Sequence, residues 1–460
     1  MGGSEGAGRV DLAWLPPDVA ALAGRLRAAG HTAFLVGGAV RDRMLGRTPA
    51  DYDLTTTARP AQVLALFPGA VADDAAFGRV KVAGVDVLTL RREAEYRDRR
   101  RPSQVRFTRS VRADLARRDF TVNAMAVDLA DGTLVDPWGG LRDLDLGILR
   151  TVGPPERRFA EDALRVLRAV RLRAQLGLSY HPRLAAALSS ASPLLEALSA
   201  ERVRDEVGLA LVAPGCGGAL RDLQRHALLG AVLPECLPMV GCPQRSPMHW
   251  CDVWEHSVQA AAAVAPRLHL RWAALLHDAG KPSCLTWGPD GATRFYGHAP
   301  VGAQMAGRIL RRLRMPERVV ARVVVLVAHH MFSYGPETKP GAARRLLLAL
   351  GAEGVDDLLE LRRADRQASL WGQGYGPEGE RLLAHRWASA AAGERLRLAD
   401  LAVGGHDVME ALGLAPGPAV GHALRALHRL VLDDALPNDR ATLLGRLAAG
   451  PLPADPPEPG

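Results

Sequence analysis

Two aspartates one residue apart, Asp51-Tyr52-Asp53, offer the first chemistry. In an extended strand residues i and i+2 point the same way, so both carboxylates face one spot. Such a pair can hold divalent cations ~4 Å apart for in-line attack on a phosphorus atom. Upstream, Leu35-Val36-Gly37-Gly38-Ala39-Val40-Arg41 reads as strand, glycine pair and helix. Glycines there let backbone N–H groups approach a phosphate, the start of a helix adds a favourable dipole, and Arg41 can add charge-assisted bonds. A third acid, Asp86, stands among Val85, Val87 and Leu88. An acid inside an apolar strand wants a cation or another partner. An isolated Asp-x-Asp is commonly a solvated acidic turn; the conjunction of all three features is far more specific.

A second constellation lies between 249 and 365: His249, His256, His277-Asp278, His298, His329-His330 and Asp365. His277-Asp278-Ala279-Gly280-Lys281 follows the apolar run Trp272 to Leu276. Imidazole with carboxylate suits Mn2+, Ni2+, Co2+ or Mg2+ better than a structural zinc.

Elements must hold these groups in place. Val19 to Ala29 has the pattern of an amphipathic helix, with Asp18 placed to cap it. Phe34 to Val36 predicts a short buried strand, and Val40 to Leu45 a helix. Val80-Lys81-Val82 and Val85 to Leu88, parted by Gly84, predict a hairpin in a small mixed sheet. After Pro154-Pro155, Ala/Leu/Arg stretches of helical period run to about Leu447. The expected fold is α+β, a small mixed-sheet head followed by an all-α body. The expected divisions are 17–153, 154–234, 235–375 and 376–448, set by Gly/Pro breaks.

Composition narrows the class. The 460 residues exceed one ordinary core. A net charge of +8 suits a polyanion partner without proving one. The basic residues are almost all Arg, which reads first as codon bias and second as phosphate recognition. Five cysteines, odd in number and without a CxxC pair, argue against a disulfide framework and for a reducing cytoplasm. No run is apolar enough to span a bilayer, so no membrane is expected, and no protein partner is inferable.

Further motifs narrow the reading. Arg117-Arg118-Asp119-Phe120-Thr121-Val122-Asn123-Ala124 resembles the RRDFTxNA box of class II tRNA nucleotidyltransferases and bacterial poly(A) polymerases. Asp136-Pro137-Trp138-Gly139-Gly140 with Asp143-Leu144 resembles the family's next turn, and Glu161-Asp162-Ala163-Leu164-Arg165 its EDxxR motif. The resemblance implies a nucleotidyltransferase that adds CCA, or its terminal A, to the 3′ end of tRNA from CTP and ATP, with Asp51, Asp53 and Asp86 at the catalytic centre. Mg2+ ions on Asp51 and Asp53 would activate the RNA 3′ hydroxyl and steady the leaving pyrophosphate. Gly37, Gly38, Arg41, Arg118, Asp162, Arg165, Arg168 and Arg171 would bind the nucleotide. Spaced by three on one expected helix, Asp162, Arg165, Arg168 and Arg171 share a ridge. An ionised Asp supplies acceptors and an Arg donors, so the motif's Asp162/Arg165 edge would match C and A and leave unpaired donors opposite U or G. Two departures stand out: Arg79 follows Gly78 where the family has a small hydroxyl residue, and Asp86 stands where Glu is common.

His256, His277-Asp278 and Asp365 resemble, in order and spacing, the metal ligands of HD-type phosphohydrolases. That implies an HD-type helical domain with a second divalent metal and a possible second hydrolytic activity. Residues 92–102, charged and without apolar periodicity, are expected to form a mobile loop. In related enzymes a loop there reshapes the pocket from C to A; its full length favours addition of A to a CC end. The competing readings are an enzyme adding A alone, a poly(A) polymerase, whose Arg-rich strand after the Asp-x-Asp is not found, and a non-catalytic RNA-binding or stress-signalling protein.

Overall fold

The structure is a computed structural model and describes residues 8–96, 102–245, 251–332, 340–369, 381–382, 397–433 and 435–452. The chain forms two compact units, Met1–Val232 and Leu233–Gly460.

The first unit opens with α1 (Pro17–Ala28), whose Val19, Leu22, Ala23 and Leu26 are buried at helical spacing. Its cap is Pro16 and Pro17 fills the first position, so Asp18 lies in the first turn rather than capping. Strand β1 (Ala33–Val36) is buried along all four residues, as an apolar run covered on both faces must be. Helix α2 (Gly38–Met44) follows it, then β2 (Asp53–Thr56), α3 (Pro60–Leu66), β3 (Val71–Asp74), β4 (Arg79–Val82) and β5 (Val85–Thr89). The predicted hairpin is β4–β5, joined by Ala83 (φ 47°) and Gly84 (φ 88°), the pair of positive φ values a tight primed turn needs.

Next comes a separate antiparallel ribbon, β6 (Arg91–Tyr96) with β7 (Pro102–Phe107). This corrects the expectation of a loop at 92–96 and 102, whereas 97–101 lie outside the described residues. A two-stranded ribbon with few apolar residues is held by its backbone ladder, so it leaves no apolar alternation to read. Helix α4 (Val111–Leu115), β8 (Ala126–Asp128) and β9 (Leu134–Val135) complete the head. The main sheet is mixed, in the order β3-β4-β5-β2-β1-β8-β9. Asp136 caps α5 (Gly140–Asp145), accepting from Gly140 N (2.7 Å) and Leu141 N (2.9 Å). The aspartate of the Asp-Pro-x-Gly-Gly turn is therefore a helix cap. Asp143 in turn accepts from Thr121 Oγ1 at 2.7 Å, tying that helix to the Arg117–Ala124 box.

The rest of the unit is mainly helical, with α6 (Pro155–Glu161), α7 (Leu164–Leu176), α8 (Pro182–Ser189), α9 (Ala200–Leu211), α10 (Cys216–Arg225) and α11 (Leu229–Val232); the expected all-α body is broken by Ser179–Tyr180, a short strand parallel to Ile148–Leu149. The second unit carries α12 (Val253–Ala263), α13 (Leu268–Leu276), α14 (His298–Arg312), α15 (Glu317–His329) and α16 (Pro340–Ala368), bent at Gly351 (φ 69°). Three further helices, Gly405–Leu412, Pro418–Leu432 and Arg440–Ala448, close on Val408, Val420, Leu427, Leu443 and Leu447. Among the described residues no helix is long and apolar enough to cross a membrane.

Gly140 is a tight joint between α5 and the Arg117–Ala124 box. A Cβ there would lie 2.3 Å from the Thr121 carbonyl oxygen, a backbone atom that cannot turn aside. Gly140→Ala is expected to lower stability by about 3 kcal/mol or more, read from the urea midpoint. An unchanged midpoint would refute this account of the joint.

Candidate active site and a buried histidine cluster

The head's acidic centre follows from strand register. Asp53 opens β2, and its partner on the parallel neighbour β5 is Asp86. In-register residues of adjacent strands point the same way at a spacing of about 4.8 Å. Asp51 precedes the strand and is exposed, so only Asp53 of the predicted pair sits on a strand. Neither Asp51 nor Asp53 has a side-chain hydrogen bond or ion pair among the described residues. Burial raises the Asp53 carboxyl above the usual range; Asp86 and Asp51 push the same way, against Arg118 and Arg79. Asp86 Oδ2 accepts from Arg79 at 2.8 Å, while its Oδ1 is buried without a hydrogen-bond partner. Three crowded carboxylates with a free buried acceptor fit a divalent cation.

Beside them the chain turns through Gly37, at φ 72° and ψ −131°. Only glycine adopts that backbone cheaply, and a Cβ would stand 2.9 Å from Arg118 Nη1. Arg118 leans on Asp114 (3.6 Å) and reaches toward the Asn123 carbonyl (3.5 Å). Arg41 donates to Asn123 Oδ1 at 2.7 Å and pairs with Asp42 at 2.7 Å. The glycine turn, Arg41 and Arg118 thus share one corner, and Asn123 fixes both guanidinium groups.

The expected Asp162-to-Arg171 ridge is interrupted. Helix α6 ends at Glu161, Asp162 is extended (φ −146°, ψ 109°), and α7 starts at Leu164. Asp162 does not pair with Arg165: its carboxylate accepts from Arg202 Nη2 at 2.9 and 3.1 Å. Arg165 is buried, donating to Glu161 (2.7 Å) and to the carbonyls of Arg158 and Arg117 (both 3.1 Å). Arg168 pairs with Asp119 at 3.0 Å and Arg171 with Glu206 at 2.6 Å. Burial alone would raise Asp119, but Arg168 and Arg165 hold it low. No signal in the sequence marks Arg202 or Glu206 as partners, because their spacing is long-range, whereas Asn123 stands in the Arg117–Ala124 box.

Residues 33–150 match the family model of the poly A polymerase head domain, and 301–447 the second domain of the tRNA nucleotidyltransferases. An A-adding tRNA nucleotidyltransferase of Deinococcus radiodurans is 36% identical over 86% of this chain and 90% of that enzyme. A CCA-adding enzyme of Geobacillus stearothermophilus is 33% identical over 90% and 92%. The chain belongs to the tRNA nucleotidyltransferase family. The crystal structure of the Bacillus stearothermophilus CCA-adding enzyme in complex with CTP superposes with a TM-score of 0.70, at 30% identity over 95% of this chain and 98% of that one. A tRNA nucleotidyltransferase depends on divalent metal, as the head's carboxylates suggest.

This tRNA nucleotidyltransferase carries a second polar cluster, in its helical body. His256 lies on α12, His277 and Asp278 at the end of α13, His298 at the start of α14, His330 after α15, and Asp365 on α16. His256 Nε2 stands 3.2 Å from His277 Nε2 and 3.0 Å from Asp365 Oδ1. Asp278 approaches His277 at 3.2 Å and His256 at 3.4 Å through Oδ2, and His298 at 3.4 Å through Oδ1. Two compact ligand groups result, His256/His277/Asp278 and Asp278/His298/His330. All four predicted ligands therefore meet, and His298 and His330 join them. The imidazoles of His277, His298 and His330 each turn Nδ1 to a backbone carbonyl, leaving Nε2 facing inward. Lys281 Nζ lies 2.6 Å from Asp278 and 2.6 Å from Gln244 Oε1. Burial would lower His277, yet Asp278 and Asp365 carry it up to about 10. His249 lies outside the described residues.

Gly37→Ala is expected to displace Arg118 and to weaken CTP binding, measured by calorimetry, by about tenfold or more, and to lower stability by about 1–3 kcal/mol. Wild-type affinity in the variant would show that the turn does not shape the nucleotide corner.

Proposed function

We propose that this enzyme rebuilds the 3′ end of tRNA, adding C from CTP and then A from ATP, with Mg2+ held by Asp51, Asp53 and Asp86. The observation that carries this reading is the Asp53–Asp86 register pair beside the Gly37 turn and Arg118. When bound, the ions would supply positive charge to the triphosphate and to the attacking oxygen. The chain's own cations, Arg41 and Arg118, would orient the triphosphate. Gly38 opens α2, where a Cβ would meet Arg41 Nη2 at an ordinary contact distance of 3.5 Å.

Base choice is assigned to Asp162 and Arg165. Each is clamped by another partner, Arg202 and Glu161, so neither relies on the other for its orientation. A fixed acceptor beside a fixed donor selects the pairing edges of C and A. Arg168 and Arg171 would support the pocket through Asp119 and Glu206. The β6–β7 ribbon lies in sequence between the acidic strand β5 and Arg118, and its full length favours the step to A. Five cysteines, none of them in a disulfide, suit a reducing cytoplasm. Within the two units we distinguish a head (17–153), a neck (154–234), an HD-type domain (235–375) and a tail domain (376–448).

A second reading concerns the body. We infer that His256, His277, Asp278 and Asp365, with His298 and His330, hold a divalent metal centre for phosphoester hydrolysis. A cavity of about 430 Å³ opens beside it, lined by Lys281, Arg362 and Arg366 among others. Three cations facing a histidine–aspartate cluster suit a phosphate.

Two substrates test the first reading: tRNA ending before CCA and tRNA ending in CC, each with single labelled nucleotides. Addition of C to the first and A to the second is expected, with both lost in Asp53→Ala while the fold and RNA binding persist. A without C would assign the A-adding specificity; no A on the CC end would refute the ribbon argument.

The body is tested by metal content. Wild type loaded with Mn2+ and desalted should retain metal that Asp278→Ala loses, along with any phosphatase activity, while nucleotide addition continues. Equal metal in both proteins would sink this reading.

A further inference from the structure

Arg79 is the one cation within hydrogen-bond reach of Asp86 among the described residues. It opens β4, bonds Asp86 Oδ2 on β5 at 2.8 Å, and reaches Asp73 on β3 at 3.2 Å. Lys81, the residue directly across from Asp86, is exposed. As a strut this contact adds little. The β4–β5 hairpin already has four register pairs and a tight turn, and Arg79 is 41% exposed, a setting where ion pairs contribute weakly. As a counter-charge it matters more. Asp86 shares its register with Asp53, and Arg79 is among the cations that offset the crowding on Asp53. The other Asp86 oxygen is buried with no hydrogen-bond partner. Asp86 therefore presents one acceptor filled by a guanidinium and one kept empty.

We propose that Arg79 is a resident counter-ion of the head: it occupies Asp86 until a divalent ion displaces it, and so sets how tightly the head takes up metal. This rests on the head's carboxylates binding divalent ions, and it gives Arg79 a positioning role rather than contact with substrate. Its sign is opposite to that of a ligand. Removing a ligand weakens metal binding, whereas removing a competitor strengthens it.

The test is a Mn2+ titration of the full chain, with free Mn2+ read by electron paramagnetic resonance. Wild type, Arg79→Ser, Arg79→Gln, Arg79→Lys, Asp53→Ala and the double variant Arg79→Ser/Asp53→Ala are compared. Ions held by the body contribute equally to all six. Arg79→Ser and Arg79→Gln should bind one class of Mn2+ about fivefold more tightly, the scale of one partly exposed ion pair. Arg79→Lys, which restores a cation, should fall back toward wild type. The gain should vanish in the double variant. Mn2+ should also raise the melting temperature of Arg79→Ser more than that of wild type. Unchanged or weaker binding in both neutral variants would overturn the proposal, as would a gain that survives loss of Asp53. Failure of the metal reading itself looks different: Asp53→Ala alone would then leave Mn2+ binding as in wild type.

Discussion

Like charges forced together by backbone pairing are the constraint on which the head is built. The parallel ladder between β2 and β5 sets Asp53 beside Asp86 whatever the side chains prefer. Burial then removes the water that would screen them, which is why Asp53 is pushed up. The sheet supplies the rigidity to hold this arrangement: Leu54 and Val87, the next residues along each strand, are fully buried. Around the acids the chain places arginines that are themselves tied down, Arg118 by Asp114 and Arg41 by Asn123. Fixed cations facing fixed anions make a site of both signs that is organised before anything binds.

The body meets a similar problem with helices. Asp278 is buried at the end of α13 and collects Lys281 together with His256, His277, His298 and His330 from four helix ends and faces. Its carboxyl is held well below the usual range, because His277 and Lys281 outweigh the burial that would raise it. A buried carboxylate so surrounded stays ionised and can bridge both ligand groups. Three imidazoles anchored through Nδ1 to carbonyls one turn earlier show how a helix end can aim a ligand.

What could be read from sequence depended on whether the decisive contact was local. The strand at Phe34–Val36, the Gly84 hairpin and the histidine–aspartate set were legible, since each is a short pattern with a fixed geometric meaning. Asp162 was placed on a helix because the spacing by three continues through Glu161 and Leu164; the break there comes from an extended residue at 162 whose carboxylate is drawn to Arg202. Arginine partners were illegible for a different reason. With basic residues almost all Arg, periodicity says where a guanidinium points but not which acid it meets. Arg165 could equally have faced solvent, and only packing turns it toward Glu161 and two carbonyls.

That ambiguity has a physical consequence for base selection. An arginine with three of its N–H groups already committed cannot swing to meet whatever base arrives. Asp162, accepting from Arg202 and from the Leu164 amide (3.1 Å), is similarly fixed. On the proposed reading, discrimination between nucleotides would rest on leaving a mismatched donor or acceptor unpaired, a penalty that holds only if the reading groups cannot rotate to relieve it. On that reading Arg202 and Glu161, which hold Asp162 and Arg165 in place, would be as much a part of selectivity as the two residues that would face the base. A change there would relax base choice without removing either reading group, whereas the acidic centre on β2 and β5 would keep its geometry unaltered.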